Sequence, residues 1–387
     1  MRLLVAIPYY APAYAFGGSV TVAETVVTDA VAAGHDVAVA TTDVLDEHRR
    51  THAATPAVPA GARVVRFPNV SHRLAAGLNG YLPRGYRGWL ARHAGEFDVV
   101  LLHDVYSALS VGAARAAVRA GVPYVLQPLG TLSPTAERGR PLAKRAFLAV
   151  WGRRTVEQAT ALIHSTDAER QDFLDVGADA AKLVRLPLPL ELPPATGIAK
   201  AARPTVAYVG RLHEIKRIDE LIRAMALVRR RMSDARLVIV GPGERHQRRL
   251  EALTRGLDLA QAVEFRGFVG SEEKFRVLES AHAAALLSHS EGLPMAALEA
   301  MATGTPVVLS QGCHLPEVHE RAGIVVDGDA PGAADALVDL LDGAERRRRL
   351  GDGARAFAHE FRREVVMPRM LAFLEELAGG PPVSRPA

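Results

Sequence analysis

Two series of strand-sized apolar runs, alternating with stretches of helical spacing and separated by a proline-rich break, constrain this 387-residue chain most. The first series has runs at residues 3–7, 36–41, 63–67, 99–103, 124–127, 161–164 and 183–185. The second has them at 206–209, 237–240, 263–266, 284–287, 307–309 and 324–326. Short, near-continuous apolar strands with helices between them specify largely parallel sheets covered on both faces, an α/β architecture. Helical spacing runs through 19–33 and 108–120, each stopped by a glycine, Gly34 and Gly121. In the second series it runs through 218–232, 247–255, 272–280 and 295–302.

The break is Leu186-Pro187-Leu188-Pro189-Leu190-Glu191-Leu192-Pro193-Pro194. Its prolines fix φ and remove donors, so it is neither a central strand nor a helix. We expect an N-terminal domain over 1–186, a linker over 187–203 and a second domain over 204–365. Residues 366–387 are expected to form a helix packing back on the first domain, then a disordered tail. Each half reads as a Rossmann-like unit, which binds ligands beyond the carboxyl ends of its strands.

No apolar run approaches the roughly 20 residues needed to span a bilayer. Met1-Arg2 leads straight into a strand, and Pro8-Tyr9-Tyr10 follows where a signal peptide would still be apolar. A cytoplasmic protein is therefore expected, and a lone cysteine, Cys313, agrees with that compartment. The formal charge is only +4 and no nucleic-acid motif accompanies it, so no nucleic-acid partner is expected.

Two segments carry chemistry. In Val209-Gly210-Arg211-Leu212-His213-Glu214-Ile215-Lys216 a strand ends in glycine, and two cations follow five residues apart. A diphosphate leaving group needs such an arrangement, close backbone and then point and fork charges. Lysine is scarce, with five in the chain, which draws attention to Lys216; a solvated basic loop is the bland reading. In Ser290-Glu291-Gly292-Leu293-Pro294-Met295-Ala296-Ala297-Leu298-Glu299, Pro294 suits the first turn of a helix. Glu291 then lies in the loop and Glu299 just over one turn in. Helical side chains lean toward the N-terminus, so both carboxylates can address one ligand. Free N–H groups there favour phosphate oxygens. The carboxylates repel phosphate, so they should accept from hydroxyls, a ribose diol for one and a sugar ring for the other. A solvent-facing pair of glutamates fits the spacing equally well.

The segment from Glu291 through Glu299 to Val308 resembles the signature of glycosyltransferase family 4, the retaining, nucleotide-sugar-dependent group with the GT-B fold. The Gly210–Lys216 loop, Ala15-Phe16-Gly17-Gly18-Ser19, Gln127-Pro128-Leu129-Gly130-Thr131-Leu132-Ser133-Pro134 and Ser165-Thr166-Asp167-Ala168-Glu169 are similar to its other landmarks. The likeness runs from about residue 2 to 370 of the sequence. It implies two Rossmann-like domains facing across a central cleft, 1–186 on the acceptor side and 204–365 binding the nucleotide sugar. It further implies transfer of a hexose-type sugar from a nucleotide-diphosphate donor to a glycan, lipid-linked or small-molecule acceptor. The nucleotide sugar would be a co-substrate, with no other cofactor and no metal. Arg211 and Lys216 would hold the donor phosphates and stabilise the leaving diphosphate. Glu299 would bind the ribose, Glu291 would lie by the transferred sugar, and Gly292, Leu293 and Pro294 would line the donor between them. Backbone around Gly267, Phe268 and Val269 would read the base beside the Gly241-Pro242-Gly243 turn. Gly17 and Gly18 would complete the phosphate cradle. Retention would follow front-face attack, the departing phosphate helping to deprotonate the acceptor, which calls for electrostatic stabilisation and no protein nucleophile.

One departure concerns the turn where many relatives have Pro-His-Gly, because Leu129 stands between Pro128 and Gly130. By position His103, followed by Asp104, is the nearest replacement and could face the acceptor; a polar pair closing a strand end is the other reading. Asp327-Gly328-Asp329 reads as a surface turn, Cys313-His314 as a donor-side loop, and His282 and His289 lack metal-ligand partners. The basic stretch 138–154 fits either peripheral contact with the inner face of a membrane or an amphipathic helix burying Phe147, Leu148 and Trp151. Two other activities stay open: a GT-B nucleotide-sugar epimerase, for which no convincing carboxylate set is visible, and a nucleotide-sugar-binding protein without turnover.

Overall fold

The computed structural model describes residues 1–46, 49–51, 59–71, 81–132, 146–191 and 197–379. The chain divides into two compact units, Met1–Pro189 with Val366–Ala387, and Leu190–Val365.

The first unit holds β1 (Arg2–Ala6), β2 (Asp36–Thr42), β3 (Arg63–Phe67), β4 (Val99–His103), β5 (Tyr124–Gln127), β6 (Ala161–His164) and β7 (Leu183–Arg185). They form one parallel sheet in the order β3-β2-β1-β4-β5-β6-β7. Its helices are α1 (Gly18–Ala32), α2 (Tyr86–His93), α3 (Ala108–Ala120), α4 (Arg153–Glu157) and α5 (Asp167–Asp175). The two-residue pleat sorts the strands onto two cores. Leu4, Ala6, Val100 and Leu102 pack with Leu109, Ala113 and Ala117 of α3. Leu3, Val5, Val99 and Leu101 pack with Val20, Val26 and Val27 of α1. A last helix, α12 (Arg363–Gly379), adds Met367, Met370 and Leu374 to that second core. The ends of α3 show why it stops and starts where it does. Ser107 Oγ accepts from Ser110 N–H at 3.1 Å, and Gly121 takes the left-handed conformation that an L side chain resists.

The second unit holds β8 (Thr205–Val209), β9 (Arg236–Val240), β10 (Val263–Gly267), β11 (Ala283–Leu286), β12 (Val307–Ser310) and β13 (Gly323–Val326). Their parallel order is β10-β9-β8-β11-β12-β13. Around them lie α6 (Ile218–Arg231), α7 (Glu244–Gly256), α8 (Ser271–Ser280), α9 (Met295–Ala302), α10 (Ala330–Asp342) and α11 (Ala344–His359). On α6, Ile218, Leu221, Ile222, Met225 and Val228 form a buried stripe, with the charged residues on the other side. Strand order reverses between β8 and β11, so the loops after these two strands diverge and leave a crevice at their carboxyl ends.

In the proline-rich break, Leu188 of the first unit and Leu190 of the second are buried. Leu190 N–H donates to Phe361 O at 2.6 Å, and Leu190 O accepts from Arg363 N–H at 3.0 Å. Residues 192–196 of the expected linker lie outside the described residues. Among the described residues no helix is long and apolar enough to cross a membrane.

Candidate functional site

The crevice of the second unit is built from glycines first. Gly210 ends β8 at φ 151° and Gly241 ends β9 at φ 145°. A Cβ at Gly241 would run into the Gly210 carbonyl oxygen, and one at Gly243 would sit 2.7 Å from Leu212 O. The space is taken because the loops are laced by backbone bonds. Gly210 N–H donates to Val240 O at 2.9 Å, Leu212 N–H to Pro242 O at 2.8 Å, and Gly241 N–H to Gly267 O at 2.7 Å. The buried Tyr208 hydroxyl donates to Arg211 O at 3.0 Å, and desolvation raises its pKa well above the ordinary phenol value.

After Arg211 the chain makes one tight turn at Glu214–Lys216, capped by His213 Nδ1 accepting from Ile215 N–H at 3.3 Å. This turn carries Lys216 to Glu291 on the loop after β11. Lys216 Nζ lies 2.5 Å from Glu291 Oε1, and the two side chains are 18% and 11% exposed. The buried Ser288 hydroxyl donates to the same Oε1. Backbone bonds hold the loops in place, His289 N–H to Ile215 O and Glu291 N–H to Gly312 O, both at 2.8 Å. Gly312 is packed so closely on the carbonyls of Ser288 and His289 that no side chain fits there. His314, with φ 54°, has its pKa lowered by burial against the pull of Glu291.

The second glutamate is on α9, and it too has a lysine. Lys274 Nζ of α8 lies 2.6 Å from Glu299 Oε1, with side-chain exposures of 24% and 16%. Sequence reasoning missed Lys274; its rarity was the only signal available. Each glutamate read as a hydroxyl acceptor thus has a lysine beside it as well. Carboxylates this far from bulk water need compensation, and each has recruited a lysine. The start of α9 is corrected. Met295 N–H is spent on Leu293 O and Ala297 N–H on Pro294 O, both at 2.9 Å, so these two donors are not free for phosphate. Leu293 and Pro294 are buried and Gly292 is half-buried.

Arg211 stands apart from these pairs. It is exposed and, among the described residues, has no ion-pair partner. Phe268 follows Gly267 (φ 64°) and leaves 81% of its surface exposed, while Val269 is half-buried. Asp327 and Asp329 are structural: Asp327 Oδ1 accepts from Gln311 Nε2 at 2.7 Å, and Asp329 caps α10. Cys313 is buried, its thiol pushed up to about 12, which makes it inert as a nucleophile. Among the described residues no group of His, Cys, Asp or Glu is placed to hold a metal ion.

In the first unit Gly17 (φ 84°) caps α1 and Gly18 opens it, beside Tyr9 and Phe16 stacked at 4.2 Å. His103 is 1% exposed, its ring lies against the Gln127 backbone, and among the described residues neither ring nitrogen is hydrogen-bonded to a side chain. Desolvation brings its pKa to about 4. Beside it in register, Gln127 is equally buried with its amide unpaired. Leu129 takes φ 52° in a turn held by buried Glu169, which accepts from Gly130 N–H at 2.6 Å and Ser165 N–H at 2.7 Å. Of the basic stretch, 138–145 lies outside the described residues. Of the rest, Phe147 and Leu148 are half-buried, Leu148 against the first core, whereas Trp151 is 42% and Val150 60% exposed, so the buried-helix reading fails at Trp151.

Comparison with known proteins bears on both units. Residues 17–189 match the glycosyl transferase 4-like domain, and residues 203–343 match glycosyl transferases group 1. The D-inositol 3-phosphate glycosyltransferase of Kineococcus radiotolerans is 31% identical over 312 residues, covering 73% of this chain and 66% of that protein. That of Nocardia farcinica is 31% identical over 293 residues, covering 72% and 61%. The chain thus spans a little under two thirds of the length of these relatives. Among solved structures, Anabaena HepE in complex with UDP and glucose superposes with a TM-score of 0.75 at 18% identity, covering 97% of this chain and 100% of that one. WaaG, a glycosyltransferase involved in lipopolysaccharide biosynthesis, gives 0.72 at 19% identity, covering 98% and 100%. With two parallel sheets of the GT-B type and a matching domain in each half, the chain belongs to the family 4-type glycosyltransferases.

Proposed function

We propose that this protein is a retaining glycosyltransferase that takes a hexose-type sugar from a nucleotide-diphosphate donor bound in the second unit. The observation that carries the reading is the Lys216–Glu291 pair, joined across the strand-order switch from the loops after β8 and β11. Lys216 spends one of its three donors on Glu291 and keeps two for a diphosphate. Arg211 adds an uncommitted guanidinium, and Glu299 takes the ribose. The bond from the anomeric carbon to the diphosphate oxygen breaks, and the acceptor hydroxyl oxygen bonds to that carbon on the same face. Its proton goes to the departing phosphate. No metal takes part in this scheme. The acceptor is a hydroxyl of a glycan, a lipid-linked sugar or a small molecule. Uridine diphosphate sugars are the first donors to try, given the UDP bound to HepE.

The test is nucleoside-diphosphate release from a panel of UDP, GDP, TDP and ADP sugars with mixed hydroxyl acceptors. Lys216→Met and Glu291→Gln should stay folded and lose most turnover; full activity in both would reject the site. Donor binding without release across the whole panel would make the chain a binding protein instead. Exposed Val150 and Trp151 beside Arg153 and Arg154 favour contact with an anionic membrane, and sedimentation with anionic against neutral vesicles checks it.

A further inference from the structure

The helical segment that leads into α4 opens with a π-helical turn, Leu148–Gly152. Such a wide turn displaces the side chains on it from the ordinary helical faces. Gly152 is buried, and a Cβ there would lie 2.7 Å from Leu148 Cδ2. The glycine thus lets Leu148 turn in against the first core, while Val150 and Trp151 turn out to water. Trp151 is not isolated. Its ring lies 5.4 Å from that of half-buried Phe147, and Phe147 lies 5.8 Å from Tyr106. Tyr106 comes shortly after His103, the last residue of β4, and its N–H donates to Asp104 Oδ1 at 2.9 Å. The rings therefore lead from an exposed apolar tip to the carboxyl end of β4, the edge at which a Rossmann-like sheet meets its ligands. Arg154, on the turn after Trp151, is exposed and has no ion-pair partner among the described residues, whereas Arg153 is spent on Glu157 at 2.9 Å.

We propose that this track seats a lipid-linked acceptor, its sugar end toward Tyr106, its anionic link beside Arg154 and its chain over Val150 and Trp151. The inference rests on the glycosyl-transfer reading and commits it to one of its three acceptor classes. A free glycan or a polar small molecule gives no reason to leave an indole and an isopropyl group in water, where exposed apolar surface is unfavourable. A bilayer covers the tip but cannot follow the rings inward to a strand end, whereas one extended molecule can. The uncommitted guanidinium beside the tip complements a phosphate or diphosphate link.

Calorimetric titration of the full chain, without bilayers, tests the proposal with three probes: a hexose joined through diphosphate to a short prenyl chain, the uncharged prenyl glycoside and the methyl glycoside. The first should bind and blue-shift the emission that Trp151→Phe abolishes, and the methyl glycoside should bind at least about tenfold more weakly. Trp151→Ala should weaken the diphosphate-linked probe about tenfold, while Trp151→Phe keeps most of the affinity. Arg154→Gln should weaken that probe about fivefold and the uncharged glycoside less than about twofold. Circular dichroism confirms folding in all three. Equal binding of the methyl glycoside would overturn the proposal, as would equal losses on both prenyl probes in Arg154→Gln. An emission shift with anionic vesicles but none with the short-chain probe overturns it too, because it means a bare membrane contact. Self-association that hides Trp151 does the same, because it means a second copy of the chain sits there. No probe binding while nucleoside diphosphate is still released to a soluble acceptor removes this inference alone; probe binding with no release across the donor panel removes the transfer reading and the acceptor role with it.

Discussion

Breaking the Lys216–Glu291 pair tests how dry the crevice is. Lys216→Met keeps most of the stem volume and removes the cation, leaving Glu291, 11% exposed, with only the Ser288 hydroxyl beside it. Exposed ion pairs contribute about 0.2–1 kcal/mol, whereas removing one partner of a fully buried pair costs about 3–5 kcal/mol. Exposures of 18% and 11% place this pair between those limits. Each single variant, Lys216→Met or Glu291→Gln, should then cost about 2 kcal/mol. The double variant leaves no orphan charge, so it too should cost about 2 kcal/mol, giving a coupling of about 2 kcal/mol. The more exposed Lys274–Glu299 pair should show about half as much. The choice of probe matters. Both tryptophans, Trp89 and Trp151, belong to the first unit, so their fluorescence follows the wrong transition. Amide exchange on β8 and β11 reads the right one. A coupling below about 0.5 kcal/mol would refute the reasoning, since the loops would then be held by their backbone bonds alone.

Four further outcomes are expected. Gly241→Ala forces a Cβ onto the Gly210 carbonyl at φ 145° and should cost about 3 kcal/mol or more in the second unit; a loss under about 1 kcal/mol would remove the steric account. His103→Leu should change the pH dependence. The folded pKa, about 4, lies below the ordinary value of 6.5, so the unfolded chain binds more protons between them. The histidine's stabilising contribution is thus present above pH 6.5 and lost as the pH falls toward 4, and the wild type should weaken relative to His103→Leu only in that window; denaturation at several pH values would show a constant difference if the idea is wrong. Glu169→Ala orphans the Gly130 and Ser165 N–H groups and should destabilise the first unit by about 3 kcal/mol, readable by tryptophan fluorescence, with a loss under about 1 kcal/mol counting against the clamp. Arg211→Ala should slow nucleoside-diphosphate association and flatten its salt dependence in stopped flow, and an unchanged salt slope would remove Arg211 from the donor's path.

The sheets were legible because a strand buried on both faces writes a continuous apolar run, and each such run became a strand with ends moved by at most a residue. Helices with charged openings were harder. In α11 the run Glu345-Arg346-Arg347-Arg348-Arg349 precedes a buried stripe of Leu350, Ala354, Phe357 and Ala358, and the charge hides the period. His103 ends a strand buried on both faces, with Val100 and Leu102 in one core and Val99 and Leu101 in the other, so its burial follows on either side of the pleat.

The charge balance of the site was illegible for a different reason. Glu291 and Lys216 are 75 residues apart, and Glu299 and Lys274 are 25 apart, so only the fold brings either pair together. Once paired, these four residues sum to zero charge, and on the donor-site reading proposed above the attraction for a diphosphate cannot come from a simple excess of lysine. It has to come from ammonium donors left over after pairing and from Arg211, which among the described residues has no ion-pair partner. The four paired residues themselves add little field that would hold a free phosphate ion. On the donor-site reading proposed above, binding draws on a ligand that engages Glu299 and the phosphate donors at once, which a nucleotide sugar does and inorganic phosphate does not.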